Sequence, residues 1–292
     1  MTPLSYGLLF VFMLSGMTAI GLQTTWDQIF RAMEDRRRLL RVLLANVVLM
    51  PALGLTLVSI FTLPEDVEIA LLLLSIAPGG ANAIQFTKAV KDDLGLEVGL
   101  QGLLTLVALV VTPLLAALLL PLEFGAAAAI PYLRVIGGVT VLLLGPLLLG
   151  MGIRQRAPAR AGVLVKVLMP VSTLSFIASV LVAGSIRQAA ANSVGASALA
   201  ATAILLLGGM VIGWWLGGPS HSGRRIVAVD TSMRNALLCL AIAVTSFPDR
   251  NVDVAVLAYL ALAIFPNLVF TLYHGVMAKR RQATPPPPTM TP

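Results

Sequence analysis

Three clusters of residues in this sequence could do chemistry, and all three sit in otherwise apolar surroundings. The first is Asp230-Thr231-Ser232-Met233-Arg234-Asn235, an acid, a base and three other polar groups within six residues. Charges inside a membrane-length apolar stretch are costly, and they mark a pathway, a pair or a ligand. On a continuous helix Asp230 and Arg234, at i and i+4, share one face and could pair. The second is Pro78-Gly79-Gly80, followed by Asn82 and Gln85. A Pro and two Gly in mid-stretch weaken a helix, and the backbone groups they free must be buried in protein or line a cavity. The third is Glu97, Gln101 and Thr105, at i, i+4 and i+8, a polar stripe on one helical face. Each has a blander reading: a snorkelling pair at a span end for the first, a packing kink for the second, and a solvated helix end for the third.

Other chemistries lack their parts. Cys239 is the single cysteine, and His221 and His274 lie far apart in sequence, which argues against a disulfide framework and a Cys/His metal cluster. Ser232 near Asp230 is the one nucleophile candidate, with no His or Lys inside a span to act as its base. No Gly-rich phosphate loop with Lys-Ser/Thr is present, so ATP-driven pumping is excluded.

The elements that must carry these residues follow from composition. The 292 residues are 58% hydrophobic and 11% charged, with a mean hydropathy of +0.94. Soluble domains run at about 25% charged, so a polytopic membrane protein is what remains. Nine stretches reach the roughly 20 residues needed to cross a bilayer: 4–23, 39–61, 67–87, 94–120, 130–153, 163–185, 194–216, 226–246 and 252–277. The first lacks a basic leader and a small-residue cleavage site, so it reads as a retained span. Pro51, Pro113, Pro146 and Pro170 read as ordinary kinks, and the frequent Gly and Ala as close helix packing.

The loops alternate in charge. Arg31, Arg36, Arg37, Arg38, Arg41, Lys88, Lys91, Arg154, Arg156, Arg160, Lys166, Arg224, Arg225, Lys279, Arg280 and Arg281 fall on one side, 16 of the 20 basic residues. The other side holds Arg187 and Arg250, with Arg134 at a span edge. Basic loops stay cytoplasmic, which predicts an inner or plasma membrane protein with its N-terminus outside and its C-terminus inside. The net charge of +7 is therefore an orientation signal, not a nucleic-acid footprint. Residues 1–281 read as one membrane domain and 282–292 as a disordered Pro/Thr-rich tail. The interrupted third and eighth spans run in opposite directions. They suggest inverted halves, about 4–120 and 163–277, whose broken helices meet at a midplane site.

At these motifs the sequence resembles the bile acid:sodium symporter family. The resemblance rests on Ala45-Asn46 through Met50-Pro51, on Ala77-Pro78-Gly79-Gly80, on Asp230-Thr231-Ser232-Met233-Arg234-Asn235 and on Phe247-Pro248. It implies an all-α, inverted-repeat transporter with a panel domain, a core domain and two crossing broken helices. It also implies uptake of organic anions, commonly driven by sodium, as the panel moves against the core. Pro78, Gly79, Gly80, Asn82, Thr231 and Asn235 are then the expected substrate-binding residues. Asn46, Glu97, Gln101, Asp230, Met233 and Arg234 are the expected ion or coupling residues, with a possible sodium position at Asp230, Asn46 and the Met233 backbone. The family's sodium ligands are altered here. A Gln before the Asn is replaced by Arg234, which has donors only. A Ser-Asn pair falls on Ala83 and Ile84, and the hydroxyl ligands of the next span fall on Glu97 and Gln101.

The expected function is secondary transport of a small organic anion, with sodium, protons or neither as the coupling ion and no other cofactor. A guanidinium held between Asp230 and Glu97 could replace ions; Arg234 could instead contact the substrate, or the two acids could exchange protons. The expected partners are the substrate and the lipid bilayer, with no nucleic acid and no obligatory protein. The alternatives are an arsenite-type exporter, whose relatives carry a Cys where Gly79 stands, and an intramembrane enzyme.

Overall fold

The computed structural model of the chain describes residues 3–80, 83–90, 93–124, 137–186 and 195–283. Asn82 and the expected tail from residue 284 onward lie outside the described residues, as do Arg134 and Arg187. Among the described residues every regular element is helical. In chain order they are α1 (Pro3–Gly21), α2 (Trp26–Glu34), α3 (Arg36–Ile60), α4 (Glu65–Ser75), α5 (Ala83–Val90), α6 (Leu94–Phe124), α7 (Gly137–Arg156), α8 (Pro158–Ile186), α9 (Ala196–Leu216), α10 (His221–Met233), α11 (Ala236–Ser246) and α12 (Val252–Ala283).

Eight segments among the described residues are long and apolar enough to cross a membrane: α1, α3, α6, α7, α8, α9, the α10–α11 unit and α12. The remaining expected span, 67–87, is divided into the short helices α4 and α5. The first loop holds a helix that the span count treats as connection. Thr25 starts α2 with a capping box to Gln28. Ile29 and Ala32 of α2 pack inward against α6, while Trp26, Phe30 and Met33 are exposed. That is the pattern of a helix lying in a membrane interface.

Helices α1, α7 and α8 pack on one another. Gly21 and Gly150 let α1 and α7 approach to backbone contact: a Cβ on Gly21 would lie 2.1 Å from Leu147 O. The other helices form a second group around α10 and α11, whose residues 226–243 are all buried. Helix α9 packs along α10 through Gly209, Gly213 and Gly217, one per turn, and a Cβ on Gly213 would lie 2.4 Å from Val227 O. This approach seats the end of α10 deep in the protein. The two groups touch where α1 meets α11 and α8 meets α12.

Two prolines do more than kink. Residues Leu44–Leu49 and Thr140–Leu144 are π-helical, and each segment ends two residues before a proline, Pro51 and Pro146. A proline supplies no N–H and clashes with the carbonyl four residues back. Widening the preceding turn accommodates it: Met50 N–H bonds to Ala45 O, five residues back. Asn46 O would next be served by residue 51, which is proline and has no N–H to offer. A carbonyl is thereby freed inside the second helical group, one residue from the bend that aims the Asn46 side chain.

Candidate functional site

The first break begins where α4 ends. A helix terminus leaves carbonyls without intrahelical donors, and those at this end find partners from other elements. Ser75 O accepts from Arg234 Nη2 at 2.6 Å, and Leu74 O from Arg234 Nε at 2.8 Å. Ile76 O accepts from Thr112 Oγ1 at 2.8 Å. Ala77 O accepts from Asn235 N at 2.9 Å, a backbone bond between the two breaks. Gly79 has φ +82°, and a Cβ there would lie 2.9 Å from Leu104 Cβ; on Gly80 it would lie 2.1 Å from Met233 Cβ. Glycine is required at both positions, by conformation at the first and by contact at the second.

The second break is narrower than the sequence suggests. Helix α10 continues through Met233, so Asp230, Thr231 and Met233 are helical, and only Arg234 and Asn235 lie between α10 and α11. Arg234 has φ 45° and ψ 157°. This turns its side chain off the Asp230 face, and the expected i,i+4 pair does not form. Among the described residues no carboxylate lies within ion-pair distance of Arg234. The expected position between Asp230 and Glu97 is corrected likewise. The guanidinium instead crosses to α3 and α4, where Nη1 donates to Asn46 Oδ1 at 2.6 Å and Nη2 to Asn46 O at 3.5 Å. It thus caps the C-terminal carbonyls of α4, where a cation also meets the negative end of the helix dipole. The side chain is 1% exposed.

The remaining candidates form one connected network. Asn46 Nδ2 donates to Thr231 Oγ1 at 3.2 Å. Asn46 Oδ1, the amide oxygen expected to serve a cation, accepts from the guanidinium. With the Gln101 amide assigned the orientation that satisfies its neighbours, its nitrogen donates to Asp230 Oδ1 at 2.8 Å and to Gly80 O at 2.7 Å, while its oxygen accepts from Thr105 Oγ1 at 3.2 Å. Glu97 is fully buried and Glu97 Oε2 accepts from Thr87 Oγ1 at 3.1 Å, so the solvated-end reading does not hold. Asn235 Oδ1 accepts from Leu238 N and caps α11. Gly80 is brought against the end of α10 and Gly79 against α6 at Leu104 and Thr105, with Pro78 buried beside them; Asn82 lies outside the described residues.

Sequence reasoning missed three partners. Thr112 serves the first break. On α12, Tyr259 donates to Ser232 O, and Asn267 Oδ1 accepts from Ser232 Oγ at 2.7 Å. The Ser232 hydroxyl is therefore turned to Asn267 and not to Asp230. Asn267, a polar residue after Pro266 in an apolar span, was the available signal. No group of three or more His, Cys, Asp or Glu suited to a metal ion occurs among the described residues.

The profile of the Sodium Bile acid symporter family matches residues 8–197. Sodium/bile acid cotransporter 4 of Mus musculus is 27% identical over 299 residues, covering 97% of this chain and 68% of its own length. The ileal sodium/bile acid cotransporter of Oryctolagus cuniculus is 25% identical, covering 80% of this chain and 68% of its own. The hepatic sodium/bile acid cotransporter of Homo sapiens is 24% identical, covering 94% and 79%. These relatives are transporters and the helices here are of membrane-spanning length and apolarity; the chain belongs to the sodium bile acid symporter family.

Proposed function

We propose that the chain is a secondary transporter of a small organic anion, working by alternating access, in which the Arg234 guanidinium takes the place of a coupling cation at the crossing of the two breaks. One observation carries this reading: a buried guanidinium donates to Leu74 O, Ser75 O and Asn46 Oδ1. Half-helix carbonyl ends in transporters coordinate cations, and here those ends are served by a cation that cannot leave. Insertion of a charged side chain at the membrane centre costs about 2.5–3.5 kcal/mol; the five donors of Arg234 offset this by filling acceptors that the breaks expose. Movement of the α1, α7, α8 group against the rest is the accompanying alternating-access step. The crossing itself, tied by Asn235 N to Ala77 O, moves as a unit.

Transport on this reading does not require two sodium ions. Any proton coupling would use Asp230 and Glu97, the two buried acids on the neighbouring faces of α10 and α6. A thermal-shift screen of small organic acids, with and without sodium, identifies a substrate. Proteoliposome uptake in sodium, potassium and choline media across a pH series then tests the coupling. Uptake that persists in choline is expected. Uptake that vanishes without sodium and rises with a Hill slope of about two overturns the reading. The 16 basic residues on one side of the spans support a C-terminus inside; a C-terminal reporter active only outside the cytoplasm would contradict that orientation.

A further inference from the structure

A second site lies apart from the crossing, at the basic ends of α3, α9 and α10. Arg37, Arg41, Leu40, Trp215 and Arg224 line a cavity of about 800 Å³ there. Two of its guanidiniums converge on one turn. Arg224 Nε donates to Gly218 O at 2.8 Å, and Arg41 Nη2 lies 3.5 Å from where a Cβ on Gly218 would stand. Gly218 has φ +99°, which an L side chain rarely adopts. Both cations are held in place: Arg224 stands 6.0 Å over the Trp214 ring, and Arg41 Nε donates to Arg37 O at 3.1 Å. The one carboxylate of the cavity, Asp35, accepts from Arg38 N and pairs with the Arg38 side chain. Among the described residues Arg37, Arg41 and Arg224 have no carboxylate within ion-pair distance. Three guanidiniums sharing a cavity with one carboxylate, which is itself paired with Arg38, leave an excess of positive charge that an anion relieves.

We propose that this cavity binds a phosphate group, with an anionic phospholipid headgroup as the source its surroundings favour. Guanidinium forks match phosphate oxygens in pairs. The cavity is larger than an inorganic anion needs and within the range of small-molecule sites. Trp215 and Leu40, 78% and 67% exposed, stand on its margin. An aromatic and an aliphatic side chain at the end of a span suit the depth where headgroup meets acyl chain. Basic pockets between membrane helices on this face are of the kind that hold lipid phosphates. The site would couple lipid composition to the base of α10, the helix that ends in the crossing.

The test uses the full chain purified in a neutral detergent. Melting temperature is measured with added phosphatidylglycerol, phosphatidylcholine, glycerol phosphate or inorganic phosphate, and retained lipid is counted by native mass spectrometry. Phosphatidylglycerol is expected to raise the melting temperature and remain bound while phosphatidylcholine does neither. Affinity is expected to fall about tenfold for each of Arg41→Ala and Arg224→Ala, with Arg31→Ala, on exposed α2, unchanged. Arg37→Ala, at an exposed position, gives the same reading should the other variants fold poorly. Stabilisation by glycerol phosphate that the same variants abolish upholds the phosphate site and makes its source soluble. No preference for phosphatidylglycerol over phosphatidylcholine together with no effect of either phosphate, or a preference that all three variants keep, overturns the proposal.

Discussion

Asn46 Oδ1 lies 2.6 Å from Arg234 Nη1, while Asn46 Nδ2 donates to Thr231 Oγ1 at 3.2 Å. One amide on α3 thus holds both the last turn of α10 and the residue that follows it. The arrangement depends on the π segment before Pro51, which widens the helix at Asn46. Arg234 adopts φ 45°, a conformation that costs a non-glycine residue about 1–3 kcal/mol. From that conformation the guanidinium reaches carbonyls on two other helices, and these hydrogen bonds offset the strain.

Removing the guanidinium leaves Ser75 O and Asn46 Oδ1 buried without a donor, while Leu74 O keeps the Ala77 N–H at 3.2 Å. Each unsatisfied group costs about 1–3 kcal/mol, so Arg234→Ala is expected to lower stability by about 3 kcal/mol or more. Arg234→Gly loses the same donors but adopts φ 45° freely, and is expected to be about 1 kcal/mol more stable than Arg234→Ala. Chemical denaturation of the two variants in one detergent gives the order. The reverse order would show that backbone strain at this residue is not what the side chain offsets.

Gly80 of the first break packs directly on Met233 at the end of α10. A Cβ there would stand 2.1 Å from Met233 Cβ and 3.0 Å from Met233 Cα. Gly80→Ala is expected to abolish folded protein on size-exclusion chromatography. Met233→Gly removes the nearer atom, and Gly80→Ala with Met233→Gly is expected to recover part of the folded fraction. A Gly80→Ala protein of wild-type melting temperature would mean that the breaks cross elsewhere.

The positions of the breaks were legible because Pro78-Gly79-Gly80 and Arg234-Asn235 conflict with the apolar helices around them. Their partners were less so. The pairing of Asp230 with Arg234 followed from helical periodicity, and it fails because α10 stops at Met233, one residue before the base. That stop is a tertiary effect: Ala77 O across the crossing takes the Asn235 N–H. Asn46 was identifiable as a polar residue near Pro51, but the carbonyl that Pro51 frees needed the π turn to be seen. Tyr259 and Thr112 gave no local pattern, since each acts on a backbone carbonyl distant in sequence.

In the loop between α11 and α12, Arg250 Nη2 lies 2.8 Å from Glu65 Oε1 and Nη1 3.8 Å from Asp66 Oδ1. The hydrogen bond from Arg250 holds the Glu65 carboxyl below its usual 4.5. Its contribution is thus full above about pH 4.5 and is lost as pH falls through the lower folded value. Glu65 is half exposed, so the pair contributes about 1 kcal/mol at most. Arg250→Gln is expected to lower the melting temperature slightly near neutral pH and not at all once Glu65 is protonated. A deficit that stays constant through acid pH would assign the effect to packing.

Gln101 and Asp230 are expected to show an effect of opposite sign in combination. The Gln101 amide nitrogen donates to Asp230 Oδ1 at 2.8 Å and to Gly80 O at 2.7 Å. Asp230 Oδ2 has no hydrogen-bond partner among the described residues. Gln101→Leu keeps a branched side chain of similar bulk but removes the donor to a fully buried carboxyl. An uncompensated buried acid is among the more damaging changes a core can carry, so a loss of about 3 kcal/mol is expected. Asp230→Asn alone exchanges the carboxyl that Gln101 serves for an amide, and is expected to be mildly destabilising. Together the two changes leave neither the carboxyl nor its donor, and Gln101→Leu with Asp230→Asn is expected to be more stable than Gln101→Leu alone. Neighbours sharing a hydrogen bond are non-additive by about 0.5–3 kcal/mol, so the restoration lies within reach of denaturant titrations. Simple additivity of the two losses would place the partner of Asp230 elsewhere than on Gln101, and would remove α6 from the network that joins the breaks.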